Sequence, residues 1–122
     1  MPIKLKQRLL PTLNFLYVED YEDTDVHGTV YGLPFPEQSF DLVIATELIE
    51  HLRCPDLALR EIWRVLKPDG RLMLSVPFLF RVHGDPEDYF RYTKDGLFAM
   101  VDRLFDGEII PYGGKITVVM DI

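Results

Sequence analysis

The sequence holds a single cysteine, Cys54, among 122 residues. That excludes an intramolecular disulfide and a cysteine-built zinc cage. No apolar run approaches the roughly 18 residues of a membrane span. Residues 1–10 carry lysines but not the long apolar stretch of a leader, so the expectation is a cytoplasmic protein with no membrane partner. Positive charge is scarce: 13 Lys and Arg stand against 20 Asp and Glu, a net charge of −7. The balance weighs against nucleic acid as a partner, because nucleic acid attracts positive surface. The densest basic run, Lys4, Lys6 and Arg8, reads as the solvated face of a helix. Glycine is missing before Gly28, so nothing earlier allows the close backbone approach that glycine permits. No repeat or low-complexity linker divides the chain, and its length fits one domain, residues 1–122.

What is present alternates between strand and helix patterns. Residues 3–10 place Leu5, Leu9 and Leu10 at helical spacing, and Pro11 ends the run. Residues 13–19 (LNFLYVE) read as a strand, residues 20–25 as an acidic loop, and residues 26–31 as a short strand. Two prolines fix a loop over residues 32–39. Residues 40–46 (FDLVIAT) and 71–76 (RLMLSV) are near-continuous apolar runs, the pattern of strands covered on both faces. Between them, residues 55–66 form the clearest helix: Ala58, Leu59, Ile62, Val65 and Leu66 make one apolar stripe. Pro55 suits its first position, Asp56 its positive end, and Lys67-Pro68-Asp69-Gly70 its stop. Residues 93–104 read as a second helix, and residues 107–122 as two strands around a turn at residues 112–114. The fold class expected is α/β, a Rossmann-like, mostly parallel sheet with helices on both faces. Ligands on such sheets sit at the carboxyl ends of the strands.

Residues 33–78 (LPFPEQSFDLVIATELIEHLRCPDLALREIWRVLKPDGRLMLSVPF) resemble the second half of the class I S-adenosylmethionine-dependent methyltransferase domain. The order LPF, SFD, EHL and RVLKP-x-G recurs there at this spacing. Residues 80–93 (FRVHGDPEDYFRYT) resemble a segment found in a subgroup of that family. The resemblance implies S-adenosylmethionine as cofactor, methyl transfer as the reaction and an acceptor that the sequence does not identify.

By position, the resemblance implies that Glu19 or Asp20 holds the ribose hydroxyls, since one carboxylate accepts from both; the rival reading is an acidic surface turn, because Tyr21, Glu22, Asp23 and Asp25 follow. Leu33 and Phe35 line the adenine side, although core packing explains them equally well. Thr29 stands where the family often has an acid facing the adenine amino group, so that contact is weakened or absent. Thr46 and Glu47, ending a strand, face the cofactor or the acceptor. His51 is a candidate general base, because imidazole titrates near neutral pH; the rival reading is a histidine that packs and caps a turn. His83 and Asp88 lie over the acceptor, with Asp85, Tyr89 and Arg91. Their rival reading is a structural cap in which Arg91 pairs with Asp85 or Asp88. Cys54 replaces the usual capping Asp or Asn and is a weaker cap. No metal is expected, because His27, His51 and His83 fall on three separate elements without ligand spacing.

The family's first strand and its glycine-rich loop, E/D-x-G-x-G-x-G, are absent. Residues 3–10 align with the helix that normally follows that loop, so the sheet is expected to be incomplete. A strand edge then needs a partner, because buried unpaired backbone groups are costly; a homo-oligomer would cover it. Three readings stand: a methyltransferase with a shortened or oligomer-completed site, a catalytically inactive relic or regulatory subunit, and a piece of a longer gene product.

Overall fold

In a computed structural model the described residues are 26, 28–83, 87–112 and 115–121. The expected strand over residues 13–19, the helix over residues 3–10, and Glu19, Asp20, His27 and Asp85 lie outside them.

Strand β1 (Phe40–Thr46) leads through a 3₁₀ turn (Ile49–His51) to helix α1 (Pro55–Val65) and strand β2 (Leu66–Pro77). Helix α2 (Lys94–Val101) and the hairpin β3 (Asp106–Tyr112) and β4 (Lys115–Asp121) follow. The sheet order is β1-β2-β4-β3. β1 and β2 are parallel, and β4 runs antiparallel to both its neighbours. β3 therefore points the same way as β1 and β2, and three of the four strands share a direction. A β–α–β crossover through α1 is how parallel neighbours are joined.

α1 begins where the sequence says it should, with Pro55 at its first turn and Asp56 beside it. Cys54 is the N-cap residue and makes no side-chain capping bond. The helix stops one residue earlier than expected. Leu66 already pairs with Phe40, and the ladder then shifts so that Leu42 faces Arg71. The Lys67–Gly70 turn bulges out of β2 between those two pairings. Its glycine is required, because a Cβ on Gly70 would stand 2.8 Å from the carbonyl oxygen of Lys67. α2 is also shorter than the periodicity suggested. Thr93 is its cap rather than its first residue, accepting from the Gly96 N–H at 3.0 Å, and residues 102–104 are turns.

Of the strand expected over residues 26–31, the described residues 28–31 form a turn instead. Thr29 bridges Gly32 in a tight turn, closed by the Gly32 N–H donating to the Thr29 carbonyl at 3.2 Å. The polar Thr29 beside two glycines favours the turn over a ladder.

Burial along β1 and β2 alternates. Val43, Ala45, Leu72, Leu74 and Val76 are buried, while Leu42 and Met73 are exposed. The buried set joins Ala58, Leu59, Ile62 and Val65 of α1 and Leu97 and Val101 of α2 in one core. Among the described residues, then, one sheet face is well covered and the other half open, where the apolar runs suggested cover on both. β1 stands at the end of the four-strand order.

Candidate functional site

The carboxyl ends of β1 and β2 lie side by side, Thr46 opposite Ser75. β1 ends abruptly. Glu47 takes a left-handed backbone conformation, φ 51°, and its N–H donates to the Ser75 carbonyl at 3.0 Å. A side chain there costs about 1–2 kcal/mol relative to glycine. The hook turns the chain inward, so that Leu48, Ile49, Glu50, His51 and Leu52 are all buried.

The segment after β2 folds back over this turn and is tied to it by backbone. The N–H groups of Tyr89 and Phe90 donate to the Glu50 carbonyl at 2.7 and 3.2 Å. The buried Tyr92 hydroxyl donates to the Ile49 carbonyl at 3.2 Å, and burial pushes its pKa upward, with Glu50 and Tyr31 adding to the shift. His83 is brought onto His51, ring centroids 4.7 Å apart and edge to face. Phe80 also packs edge to face against His83, at 5.0 Å.

Glu50 sits at the centre. Its carboxylate is fully buried, and neither oxygen has a hydrogen-bond partner. Oε1 lies 3.4 Å from His51 Nε2 and 3.7 Å from His83 Nε2, too far for hydrogen bonds. Its pKa is raised to about 7. Burial is the main cause; the Glu47 and Asp88 carboxylates add to it, while the residue's own backbone and Arg91 oppose it.

Asp88 and Arg91 hold the outer wall. They form a two-armed ion pair, Arg91 Nη1 on Asp88 Oδ1 and Nη2 on Oδ2 at 2.8 Å. Arg91 also donates to the carbonyls of Arg81 (3.0 Å) and Phe90 (3.0 Å). Asp88 accepts from the His83 N–H at 2.9 Å. The Arg91 hydrogen bonds hold its carboxyl well below the usual carboxylate range.

Of the sequence candidates, Glu47, His51, His83 and Asp88 thus come together at one strand end. A cavity of about 240 Å³ opens there, lined by Glu47, His51, Pro77, Phe80 and His83. His51 and His83 lie on separate elements, as expected, but the fold makes those elements converge. Arg91 pairs with Asp88, which leaves that carboxylate a holder of His83 rather than a carrier of protons. Thr46 is exposed beside the cavity. Leu33 and Phe35 lie elsewhere, clasped against α1. The Leu33 N–H donates to Glu61 at 2.8 Å, and Arg64 donates to the carbonyls of Leu33 and Phe35 at 3.0 and 2.9 Å. Phe35 packs edge-on against Phe40. Core packing accounts for both. Glu50 escaped the sequence reading. Its signal was an acid enclosed by Leu48, Ile49 and Leu52, an apolar setting in which a carboxylate is rarely left without purpose. A groove of about 730 Å³ between α1 and α2, lined by Trp63, Met100 and Arg103, holds none of the strand-end groups.

Comparison with known proteins agrees with this geometry. A family model described as a methyltransferase domain matches residues 7–74, more than half of the chain. An uncharacterized methyltransferase of Schizosaccharomyces pombe is 37% identical over 62 residues, which are 51% of this chain and 22% of that protein. The chain thus spans about a fifth of that relative's length. A SAM-dependent methyltransferase from Aquifex aeolicus superposes with a TM-score of 0.66 at 18% identity, over 80% of this chain and 54% of that one. The 1,6-didemethyltoxoflavin-N1-methyltransferase of Burkholderia thailandensis, solved with S-adenosylhomocysteine, gives 0.64 at 21% identity, over 79% and 49%. At those identities the superpositions speak for the Rossmann-like fold, and the sequence match speaks for the lineage: this chain belongs to the methyltransferase domain family, whose cofactor is S-adenosylmethionine.

Proposed function

We propose that this chain is an S-adenosylmethionine-dependent methyltransferase of the cytoplasm, and that the residues gathered at the ends of β1 and β2 form its acceptor side. The observation that carries the reading is the convergence of Glu47, His51 and His83 on one cavity at the strand ends, with Glu50 buried behind the two imidazoles, where ligands of parallel sheets bind.

The described residues fit part of such a site. At about 240 Å³ the cavity is smaller than the roughly 300–1,000 Å³ of pockets that enclose a drug-sized ligand, so it takes an acceptor fragment and not a whole nucleoside cofactor. Thr46 and Glu47 would border the cofactor, with Glu19 or Asp20 on its ribose. When bound, S-adenosylmethionine supplies an electrophilic methyl group. The chain's part is to seat the acceptor against Phe80 and Pro77, exclude water, and accept the acceptor's proton. The His51 Nδ1 faces the Glu87 carbonyl at 2.5 Å. A carbonyl only accepts, so the proton stays on Nδ1 and the lone pair of Nε2 points into the site, the tautomer a general base needs.

Calorimetric titration of the 122-residue chain with S-adenosylhomocysteine tests the cofactor half. A saturable signal, lost when Glu19 and Asp20 are both replaced by alanine, is expected. Flat heats at millimolar ligand would end the enzyme reading for this chain.

A second reading, an inactive interaction subunit or an oligomer-completed site, is favoured by β1 at the end of the strand order with Leu42 and Met73 exposed beside it. A second copy covering that edge predicts a dimer by light scattering; a monomer at all concentrations would remove it.

A further inference from the structure

The centre of the site contains an electrostatic arrangement that methyl transfer does not require. The lone pairs of two imidazole nitrogens and one carboxylate face each other with no donor between them. His51 Nδ1 meets the Glu87 carbonyl at 2.5 Å. His83 Nδ1 meets the Arg81 carbonyl at 3.2 Å and the Asp88 carboxylate at 3.3 Å. The Arg91 Nη2 also lies 3.4 Å from that nitrogen, but its shorter bonds go to Asp88 and the Arg81 carbonyl. Acceptors thus hold the proton on Nδ1 of both rings. Both Nε2 atoms turn unprotonated lone pairs towards Glu50 Oε1, at 3.4 and 3.7 Å. The fully buried Glu50 carboxylate has no hydrogen bond to satisfy it. Three electron-rich groups turned inward repel one another unless a proton or a metal cation lies among them.

We infer that Glu50, His51 and His83 bind one divalent transition-metal ion. The three ligand atoms lie within 4.8 Å of one another. Ligand bonds of about 2.0–2.2 Å set tetrahedral edges of about 3.4 Å. The two edges from Glu50 are close to that length already. Two imidazoles and a carboxylate select borderline ions, zinc, cobalt, iron or nickel, over magnesium or calcium, which prefer oxygen. The outer partners are those that metal-bound histidines use: a backbone carbonyl on one Nδ1, a carboxylate and a carbonyl on the other. Three protein ligands leave a coordination position open, and the cavity of about 240 Å³ borders the two imidazoles. The ion would take the lone pairs that otherwise accept a proton, so His51 serves as general base only in the metal-free site, ion and proton compete, and acid expels the ion. This inference rests on the side-chain geometry alone and stands or falls apart from cofactor binding.

Titration of the metal-free 122-residue chain with Co²⁺, followed by visible absorption, and with Zn²⁺ in competition tests it. One ion per chain is expected, with the d–d bands of a nitrogen- and oxygen-ligated low-coordinate site, displaced by Zn²⁺. His83→Ala and Glu50→Gln should each weaken binding at least about tenfold, and Asp88→Asn should weaken it less, as an outer partner. His83 is on a loop, so His83→Ala should keep the far-ultraviolet dichroism of the parent and remain informative even if Glu50→Gln does not fold. Absence of cobalt bands, or an ion bound equally well by His83→Ala, overturns the assignment.

Discussion

Two arginine clasps in this protein are built to the same plan and serve different ends. In each, an arginine pairs through two arms with a carboxylate three residues before it: Arg64 with Glu61, Arg91 with Asp88. Each arginine also donates to carbonyls of a distant loop, and each carboxylate accepts a backbone N–H from that loop, Leu33 in one case and His83 in the other. The first clasp is partly exposed, its side chains 29% and 21% accessible. It fastens the loop before β1 to α1. In the second, Asp88 is only 3% accessible, and what it fastens is the histidine facing Glu50. The clasp is thus a general device for holding a loop; its depth and its neighbour decide whether the loop serves the fold or the site.

Breaking the deeper clasp should cost most. Arg91→Ala leaves a buried carboxylate unpaired and should destabilise the chain by about 3–5 kcal/mol in urea unfolding. The loss should shrink in acid. The native-state pKa of Asp88 is depressed, so its contribution is present above the unfolded pKa, near 4, and disappears as pH falls through the folded value. The next effect has the opposite sign. Glu50 is raised to about 7, so the folded state holds a proton that the unfolded state gives up from about pH 4.5. Stability therefore falls between pH 4.5 and 7. With metal chelated, Glu50→Gln should stabilise the chain at pH 8 by on the order of 2–3 kcal/mol and have little effect at pH 4.5. The charges facing this group are Glu47, Asp88 and Arg91, with His51 and His83 in contact, and His51→Gln measured in parallel separates their share. Arg64→Ala should cost about 1–2 kcal/mol, the sum of an exposed pair and two carbonyl hydrogen bonds. If it costs as much as Arg91→Ala, depth is not what separates the clasps. Lys67→Ala sets the floor. Its pair with Asp41 is solvent-exposed, at 3.2 Å, and its loss should change stability by less than about 0.5 kcal/mol.

Much of the fold was legible because its signals were local. The start of α1 followed from Pro55 and Asp56. The closing hairpin followed from two apolar runs around residues 112–114. Over residues 28–32 a turn replaced the expected strand, because propensity there was weak and the turn satisfied the backbone more cheaply. The ends of α1 and α2 shifted because a cap at Thr93 and a strand pairing at Leu66 override periodicity. At the site, His51, His83, Asp88 and Glu47 were found as individuals. Their meeting was hidden, because it depends on the hook at Glu47 and on backbone bonds from Tyr89 and Phe90 to Glu50, and neither has a sequence period. Glu50 was missed for a related reason: an acid beside a histidine in a short turn looks like surface until the turn is seen to point inward.

The strand order carries a consequence for how the chain is made. β4 lies between β2 and β3, yet a ribosome delivers it after both. Until it emerges, β3 has no neighbour to join, and β2 offers a bare edge of amide groups to whatever is near. The sheet can be zipped shut only by the strand synthesised last of the four, so nascent chains should remain open to chaperones, or to one another, almost until that strand clears the exit tunnel.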